Sequence, residues 1–274
     1  MTTAALAPVS RPTAPIFSRH LLDGWRGQLG WSLGIAAVIG MYLPLFPSLQ
    51  SPELAQLIDS LPAELVSTLG FNQIASGAGY AQATFFGLLG FVLAAIASVS
   101  WGAAFIAGTE ETGRLELTLA HAVGRAQYAL ESAAALIVKM LALGAVAFLL
   151  ILAINTPAEL DLSATNLLAV TIAWTSLGLL SGVAALAFGA LTGRRSWAIG
   201  AGAGIAVLGY GLDAVGGTSE DFAWLSNLSP YHWAFDNTPL ADGFDWAGLA
   251  LLWGLSAVLI GITAWALSRR DILG

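Results

Sequence analysis

GTEETGRLELTLAHAVGRAQ, residues 108–127, connects two long apolar runs in a chain that has few charges. The charged residues of this connection are Glu110, Glu111, Arg114, Glu116 and Arg125. Leu115 and Leu119 stand four residues apart, so a helix would place both on one face. Acidic residues in the first turns favour the helix N-terminus. The pattern predicts a short amphipathic cytoplasmic helix that docks into a second protein. An ordinary solvated loop is the alternative.

The composition indicates a membrane protein. The chain has 274 residues, of which 57% are hydrophobic and 10% are charged. A soluble domain carries about 25% charged residues, so this chain has too few to cover a surface in water. The class that fits is a polytopic all-α membrane protein.

The chain lacks the residues that most catalytic and cofactor chemistry needs. The chain has no cysteine, which removes disulfides, thiolate nucleophiles and cysteine-ligated metal sites. Lys139 is the only lysine, and it follows Val138 rather than the glycine that a P-loop requires. His20, His121 and His232 fall on both sides of the predicted membrane, so they cannot share one site. We therefore expect no catalytic residues, no cofactor, no metal and no ATP site, and a protein that is not an enzyme.

Six apolar runs are candidate membrane spans, because a spanning helix needs roughly 20 predominantly apolar residues. They cover residues 29–46, 81–107, 128–154, 167–191, 197–215 and 247–267. An even number of spans places both termini on the same side of the membrane. Residues 17–274 then form a single six-span transmembrane domain, and residues 1–16 form a disordered cytoplasmic tail.

The basic residues give the orientation, because cytoplasmic loops hold the excess of lysine and arginine. All the arginines fall on the side shared by the two termini: Arg11, Arg19, Arg26, Arg114, Arg125, Arg194, Arg195, Arg269 and Arg270. The opposite loops contain acidic residues and no basic ones. The sequence therefore predicts that both termini are cytoplasmic.

Three further segments have more than one interpretation. Residues 17–28 fit a helix in the membrane interface or the polar start of the first span. Residues 52–69 fit one or two amphipathic helices on the outer interface. The aromatic-rich segment 216–246 either dips back between the spans as a lid or lies on the outer surface.

Two ionisable residues, Glu131 and Lys139, lie within the third predicted span. Such residues are costly in lipid and mark a functional or a paired structural role. Glu131 is near the inner interface and can be solvated there. Lys139 is deeper, and either lines a translocation path or pairs with a polar group of a neighbouring helix.

The motifs of this chain resemble those of six-span permease subunits of bacterial type-2 ABC exporters, especially actinobacterial ones. The first motif is Glu110-Glu-Thr-Gly-Arg-Leu-Glu-Leu-Thr-Leu-Ala120, followed by Arg125. The others are Leu228-Ser-Pro-Tyr-His-Trp233, Pro239-Leu-Ala-Asp-Gly-Phe-Asp-Trp246 and Arg269-Arg-Asp-Ile272. Members often have proline and serine where this chain has Ala122 and Gly124.

The resemblance implies a coupling helix between spans 2 and 3 that contacts a separate ABC ATPase subunit. It implies two ATPase copies and a second permease, identical or related, in the bacterial cell membrane. The implied coupling residues are Glu110, Glu111, Arg114, Leu115, Glu116, Leu119 and Arg125. The carboxylates would pair with basic residues of the ATPase, and Leu115 and Leu119 would supply its apolar contact.

The scarcity of charge favours an apolar or amphiphilic substrate, such as a drug, an antibiotic or a lipid. A polytopic scaffold or sensor component that transports nothing is the alternative from a different class. An intramembrane lipid-modifying enzyme is a weaker one, because no paired catalytic residues are present.

Overall fold

A computed structural model describes residues 14–50, 76–120 and 123–270. Most of the expected tail, the amphipathic segment 52–69, and the residues His121, Ala122, Asp271 and Ile272 lie outside the described residues. The helices are α1 (Pro15–Asp23), α2 (Trp25–Leu49), α3 (Gly77–Glu111), α4 (Arg114–Leu119), α5 (Arg125–Ile154), α6 (Ala164–Thr192), α7 (Arg195–Gly216), α8 (Ala223–Ser226), α9 (Pro230–Phe235), α10 (Pro239–Asp242) and α11 (Trp246–Arg269). The described fold is all-α.

Six of these helices are long and apolar enough to cross a membrane: α2, α3, α5, α6, α7 and α11. Each contains one of the six apolar ranges expected from the sequence, so the prediction of six long apolar helices is confirmed. The protein is a multi-pass membrane protein with six candidate spans. Two of the helices are not uniformly α-helical. α2 contains a 3-10 turn at Leu43–Leu45, and α3 contains π-helical segments at Gln82–Leu89 and Ala104–Gly108.

The long helices alternate in direction, which gives the bundle two ends. The terminal end holds α1, the start of α2 and the end of α11, together with the α3–α5 and α6–α7 connections. The loop end holds the other connections, including the segment between α7 and α11. Hydrogen bonds join neighbouring helices there: Tyr80 donates its hydroxyl to the carbonyl oxygen of Tyr42 at 2.9 Å, and Asn166 Nδ2 donates to that of Ala241 at 2.7 Å.

α6 is the central helix and packs against α3, α5, α7 and α11. In its most apolar window 83% of the residues are buried, against 22% for α2 and for α7. α3 and α6 approach each other most closely at two glycines. A Cβ added to Gly102 would lie 2.1 Å from the carbonyl oxygen of Gly182, and one added to Gly182 would lie 1.9 Å from Ser98 Oγ. The two backbones therefore touch, as small residues allow between membrane helices.

Local sequence signals explain where several helices begin and end. Ser76 Oγ accepts a hydrogen bond from the amide of Gly79, and Asp245 Oδ1 accepts from Ala247 and Gly248, as N-cap residues do. Gly193, with φ +67°, ends α6 and donates its amide to the carbonyl of Gly189. That left-handed backbone is the usual helix stop and favours glycine.

The aromatic-rich segment between α7 and α11 folds back into the loop end of the bundle. Ser229 Oγ donates to the carbonyl of Gly209 at 2.6 Å, and Gly209 precedes the last residue of α7 by seven residues, or about 10 Å of helix. Tyr231 donates its hydroxyl to the carbonyl of Gly87 in the first π-segment of α3. Burial raises the pKa of Tyr231 well above its usual value, so the hydroxyl stays protonated and keeps donating. These contacts hold the segment against α3 and α7 at the loop end of the bundle.

α3 and α5 are longer than a membrane is thick. At 1.5 Å per residue, their 35 and 30 residues extend about 52 and 45 Å, against a hydrocarbon core of about 30 Å. α2 begins beside Lys139, fourteen residues after α5 begins at Arg125: Gln28 Nε2 donates to the carbonyl of Lys139 at 3.2 Å. Nearly half of α5 therefore projects beyond the start of α2 at the terminal end.

Candidate functional site

The connection between α3 and α5 turns sharply at one glycine. α3 ends at Glu111, and the hydroxyl of Thr112 donates to the carbonyl of Gly108 at 3.0 Å. Gly113 has φ +68°, a left-handed conformation that other residues adopt at a cost, and α4 starts at the next residue. The amphipathic helix expected here is therefore present as a helix of six residues, Arg114–Leu119.

The predicted coupling residues of α4 divide into an inward and an outward group. Leu115 is fully buried in the hydrophobic core, and Leu119 is partly buried against it. Arg114 and Glu116 are exposed, and Leu117, which the sequence interpretation did not select, is 68% exposed. The buried side chain of Leu115 holds α4 against the rest of the chain, and its expected contact with a partner stays a prediction.

Glu110 is part of an ion pair that joins α3 to the end of α11. Its carboxylate accepts a hydrogen bond from the guanidinium of Arg270, and the two side chains are 10% and 22% exposed. Arg125, at the start of α5, donates from Nη1 to the carbonyl of Arg270 at 2.8 Å. Arg270 is thus held at its side chain and at its backbone, by two helices that flank α4.

Glu111 makes a second tie, to the start of α7. Its Oε1 accepts from the backbone amide of Arg195 at 2.8 Å, an unpaired donor at a helix N-terminus that favours a carboxylate. Gly193 lies between the two ties: a Cβ added there would stand 2.5 Å from Glu110 Oε1. We call Glu110, Glu111, Arg125, Arg195 and Arg270 the terminal cluster. It joins α3, α5, α7 and α11 beside α4.

Sequence reasoning selected Glu110, Glu111 and Arg125 but not their partners. Arg270 belongs to the terminal Arg269-Arg270 pair, which served for the orientation and for the family resemblance but was not selected as a partner of Glu110. The one sequence signal for the pairing of Arg270 with Glu110 was the scarcity of charge. In a chain with so few charged residues, an arginine on the same side of the membrane as an acidic connection has few other partners. The Arg195 amide carries no sequence signal, because any residue at that position would donate it.

Glu131 and Lys139 lie at opposite ends of α1, which runs beside α5. Glu131 Oε2 accepts from the amides of Ile16 and Phe17 at 2.7 and 3.0 Å, in the first turn of α1. Lys139 Nζ donates to the carbonyl of Gly24 at 3.3 Å, where α1 ends, and lies 4.9 Å from the centroid of the Trp101 ring. An acid at the start of a helix and a cation at its end both interact favourably with the helix dipole. Two turns separate Glu131 from Lys139, close to the length of α1.

His20 fills the space between these two charges. Its ring stacks on Phe105 at 3.9 Å, and Nε2 lies 3.1 Å from Ser132 Oγ. Burial, assisted by the positive charges of Arg19 and Lys139, lowers the pKa of His20 to about 4. The imidazole is therefore neutral at pH 7 and adds no charge to this surface.

Two adjoining cavities of about 300 and 440 Å³ separate α1 from α4, and we call them together the terminal crevice. Ile16, Arg19, Arg114 and Thr118 line both cavities. The smaller cavity reaches down to Gly24 and Trp101.

An apolar groove of about 410 Å³ lies between α3 and α7. Its lining includes Leu88, Phe91, Val92, Ile96, Val99, Ile199, Val207 and Tyr210. A more polar cavity of about 570 Å³ adjoins it at the loop end, with Gln82, Tyr231, Asp236 and Thr238 in its lining. Leu88 and Tyr210 line both spaces, so the groove and the cavity form one continuous track along α3 and α7 to the loop end.

Residues 25–267 match the family model described as "Multidrug efflux system permease Rv1217c, C-terminal domain". The match covers all six long helices up to the last turn of α11, together with the terminal cluster except Arg270. None of the curated proteins matches the chain.

Proposed function

Since the chain belongs to this family of multidrug efflux permeases and is the permease subunit of an ABC efflux system, we propose that the segment Thr109–Leu119 is its coupling element. α4 docks into the partner ATPase. The observation that carries this proposal is the terminal cluster, because a displacement of the segment Thr109–Leu119 reaches α7 and α11 through the direct contacts of Glu111 and Glu110, and reaches α5 through Arg270. Glu110 passes it to α11, Glu111 passes it to α7, and the buried Leu115 passes it to the core.

The face of α4 that meets the ATPase is the outward one. Glu116 and Leu117 are exposed on this face, and Glu116 is the carboxylate available to basic residues of the ATPase. Glu110, Leu115, Leu119 and Arg125 instead hold the coupling element to the permease. This division replaces the simpler expectation that all of these residues face the partner.

The terminal end is the cytoplasmic end, with both chain termini on that side. Every arginine among the described residues lies at this end, and cytoplasmic segments hold the excess of basic residues. The projecting parts of α3 and α5 then extend into the cytoplasm and carry α4 toward the ATPase. The permease domain starts with α1 at Pro15 rather than at residue 17, because Ile16 is buried in the core and its amide donates to Glu131.

Lys139 anchors α1 and does not line the translocation path. It is 2% exposed and level with the first residue of α2, so it lies near the membrane surface once α2 enters the membrane at Trp25. Exposed Trp25 suits that level, where aromatic rings are favoured. α1 is thus held on the projecting part of α5 by one charge at each of its ends.

Replacing Lys139 with methionine tests this role. We expect backbone amides of residues 15–24 to exchange about tenfold faster, since the dipole and the cation–π contacts each contribute on the order of 0.5–1 kcal/mol. Hydrogen exchange followed by mass spectrometry on the complete permease measures the change. Leu141→Met, at a 57% exposed position of the same helix, is the control. Unchanged exchange together with an altered range of transported compounds would place Lys139 in the path instead.

The track along α3 and α7 forms one wall of the translocation path. Its inner part is apolar and its outer part at the loop end is more polar, an order that suits an apolar or amphiphilic compound leaving the membrane. A second permease, identical or related, supplies the opposite wall. The lid formed by residues 216–246 covers the outer exit.

ATP hydrolysis belongs to the partner and not to this chain. The only lysine is buried between α1 and Trp101, where it cannot reach a nucleotide. Two copies of an ABC ATPase bind the two permeases, one at each coupling element.

Reversing the charge of Glu116 tests the coupling assignment without disturbing the internal contacts of Glu110 or Glu111. We expect Glu116→Lys to weaken binding of the partner ATPase about tenfold, as loss of a complementary charge at an interface does. Co-purification and ATP hydrolysis of the reconstituted complex measure the effect.

Glu220→Lys makes the same charge change at the exposed loop end and is the matched control. If Glu116→Lys and Glu220→Lys bind the partner ATPase equally well, α4 is not part of the ATPase interface. If the unmodified chain binds no ATPase at all, the scaffold alternative replaces the transporter proposal.

A further inference from the structure

The charge of the terminal crevice suits an anion, because two arginines and one acidic residue line it. Arg19 and Arg114 line both of its cavities, from α1 and from the start of α4. Asp23 is the one acidic residue among the lining residues, and it meets Arg19 Nε at 3.3 Å with side chains that are 58% and 73% exposed. Such a solvated pair is weak and leaves most of the Arg19 guanidinium unused. The crevice is therefore net positive.

The chain segment that precedes the crevice brings no compensating charge. Residues 1–13 read MTTAALAPVSRPT, with one arginine and no acidic residue. His20, which also lines the smaller cavity, is neutral at pH 7. An anion that pairs with Arg19 and Arg114 therefore comes neither from residues 1–13 nor from His20.

The floor of the crevice lies at the level where the membrane begins. Gly24 and Trp101 form it, and Gly24 directly precedes α2, which starts with the exposed Trp25. Apolar side chains such as Ile16 line the same cavity as the two guanidinium groups. An anionic group carried by an apolar chain matches both features.

From this arrangement we propose that the terminal crevice binds the phosphate of an anionic phospholipid headgroup of the cytoplasmic leaflet. The inference rests on the proposed orientation of the chain. Guanidinium groups bind phosphate oxygens in pairs of parallel hydrogen bonds, which a lysine could not provide. Arg19 belongs to α1 and Arg114 to α4, so the bound phosphate bridges the anchored helix and the coupling element. Anionic lipid then stabilises the position of α4 and increases ATPase activity.

The experiment measures lipid bound to the permease–ATPase complex in lipid nanodiscs. Nanodiscs of phosphatidylcholine, with and without phosphatidylglycerol, hold the complete complex, and native mass spectrometry counts retained phosphatidylglycerol. We expect Arg19→Gln and Arg114→Gln together to weaken retention roughly 30-fold, because each arginine near an anionic surface contributes about a factor of five. Arg26→Gln is the control, since Arg26 is exposed over the Trp25 ring and does not line the crevice.

ATP hydrolysis gives a second readout. Phosphatidylglycerol should stimulate the unmodified complex and the Arg26→Gln complex, and should not stimulate the Arg19→Gln complex. Equal loss of retained lipid in Arg26→Gln and in the double variant would reduce the effect to general surface charge and overturn the site.

Two further outcomes would overturn the lipid assignment. Stimulation by inorganic phosphate in pure phosphatidylcholine would identify a soluble anion as the occupant. Loss of ATPase association by the double variant in pure phosphatidylcholine would identify an acidic segment of the ATPase. Failure of the proposed function is distinguishable from all of these, because the unmodified chain would then bind no ATPase in either lipid.

Discussion

Gly102→Leu should prevent assembly of the helical bundle. Even one added carbon at this position would lie 2.1 Å from the carbonyl oxygen of Gly182, and that oxygen belongs to the backbone of the central helix, which cannot rotate away. α3 would have to move away from α6. The cost is at least about 3 kcal/mol, the upper end of what extra methylenes cost in packed interiors.

The expected result is a permease that is made but yields little monodisperse protein in detergent and unfolds at a lower temperature. Gly254→Leu is the matched control, because a Cβ at Gly254 in α11 meets no described atom within 4 Å. Size-exclusion profiles and unfolding midpoints of the two variants give the comparison. If Gly102→Leu behaves like Gly254→Leu, then α3 and α6 do not cross at these glycines.

Glycine frequency alone did not reveal this crossing. α7 has five glycines within twelve residues and looks like the most tightly packed helix. Yet a Cβ at Gly200, Gly204 or Gly211 would meet no described atom within 4 Å, whereas Gly102 and Gly182 face each other across two helices. Which glycines serve close approach depends on which helix lies opposite, and one sequence contains no information about that neighbour.

The long helices were predictable because lipid imposes a strong constraint on the sequence. Every backbone group in hydrocarbon must be satisfied within a helix, so each span needs an unbroken apolar run. Capping residues such as Asp245 and helix-ending glycines such as Gly193 set the boundaries within a few residues. The depth of Lys139 was not predictable in this way, because its place in the apolar run suggested mid-membrane. Only the start of α2 beside it shows how far α5 projects.

The position of the charged connection between α3 and α5 was predictable from the sequence. Which of its residues face the chain and which face outward was not. The charged connection 108–127 stood out because charge is rare in this chain, and the pairing of Leu115 with Leu119 predicted an amphipathic helix. Amphipathicity says that one face is apolar, but the same pattern serves a face turned toward the chain or toward a partner. Leu115 is buried against the chain, and the ties from Glu110 and Glu111 depend on residues 160 and 84 positions away, respectively.

Leu115→Asp should detach α4 and abolish ATP-driven transport. Leu115 is fully buried, and an aspartate there would place a charge among apolar side chains such as Leu119. Losing the leucine costs about 1.5–3 kcal/mol of burial, and an unpaired buried charge adds several more. α4 has only six residues and cannot remain helical alone. It would leave its place while the long helices stay assembled.

Leu117→Asp makes the same substitution two residues away, at a position that is 68% exposed, and separates docking from folding. We expect faster hydrogen exchange over residues 112–120 in Leu115→Asp and unchanged exchange in Leu117→Asp. Both variants should lose transport of a lipophilic dye by the reconstituted complex, the first because α4 is displaced and the second because its ATPase-facing surface carries a misplaced charge. Full transport by Leu115→Asp would show that force from the ATPase enters the permease elsewhere. Full transport by Leu117→Asp alone would move the contact to another face of α4.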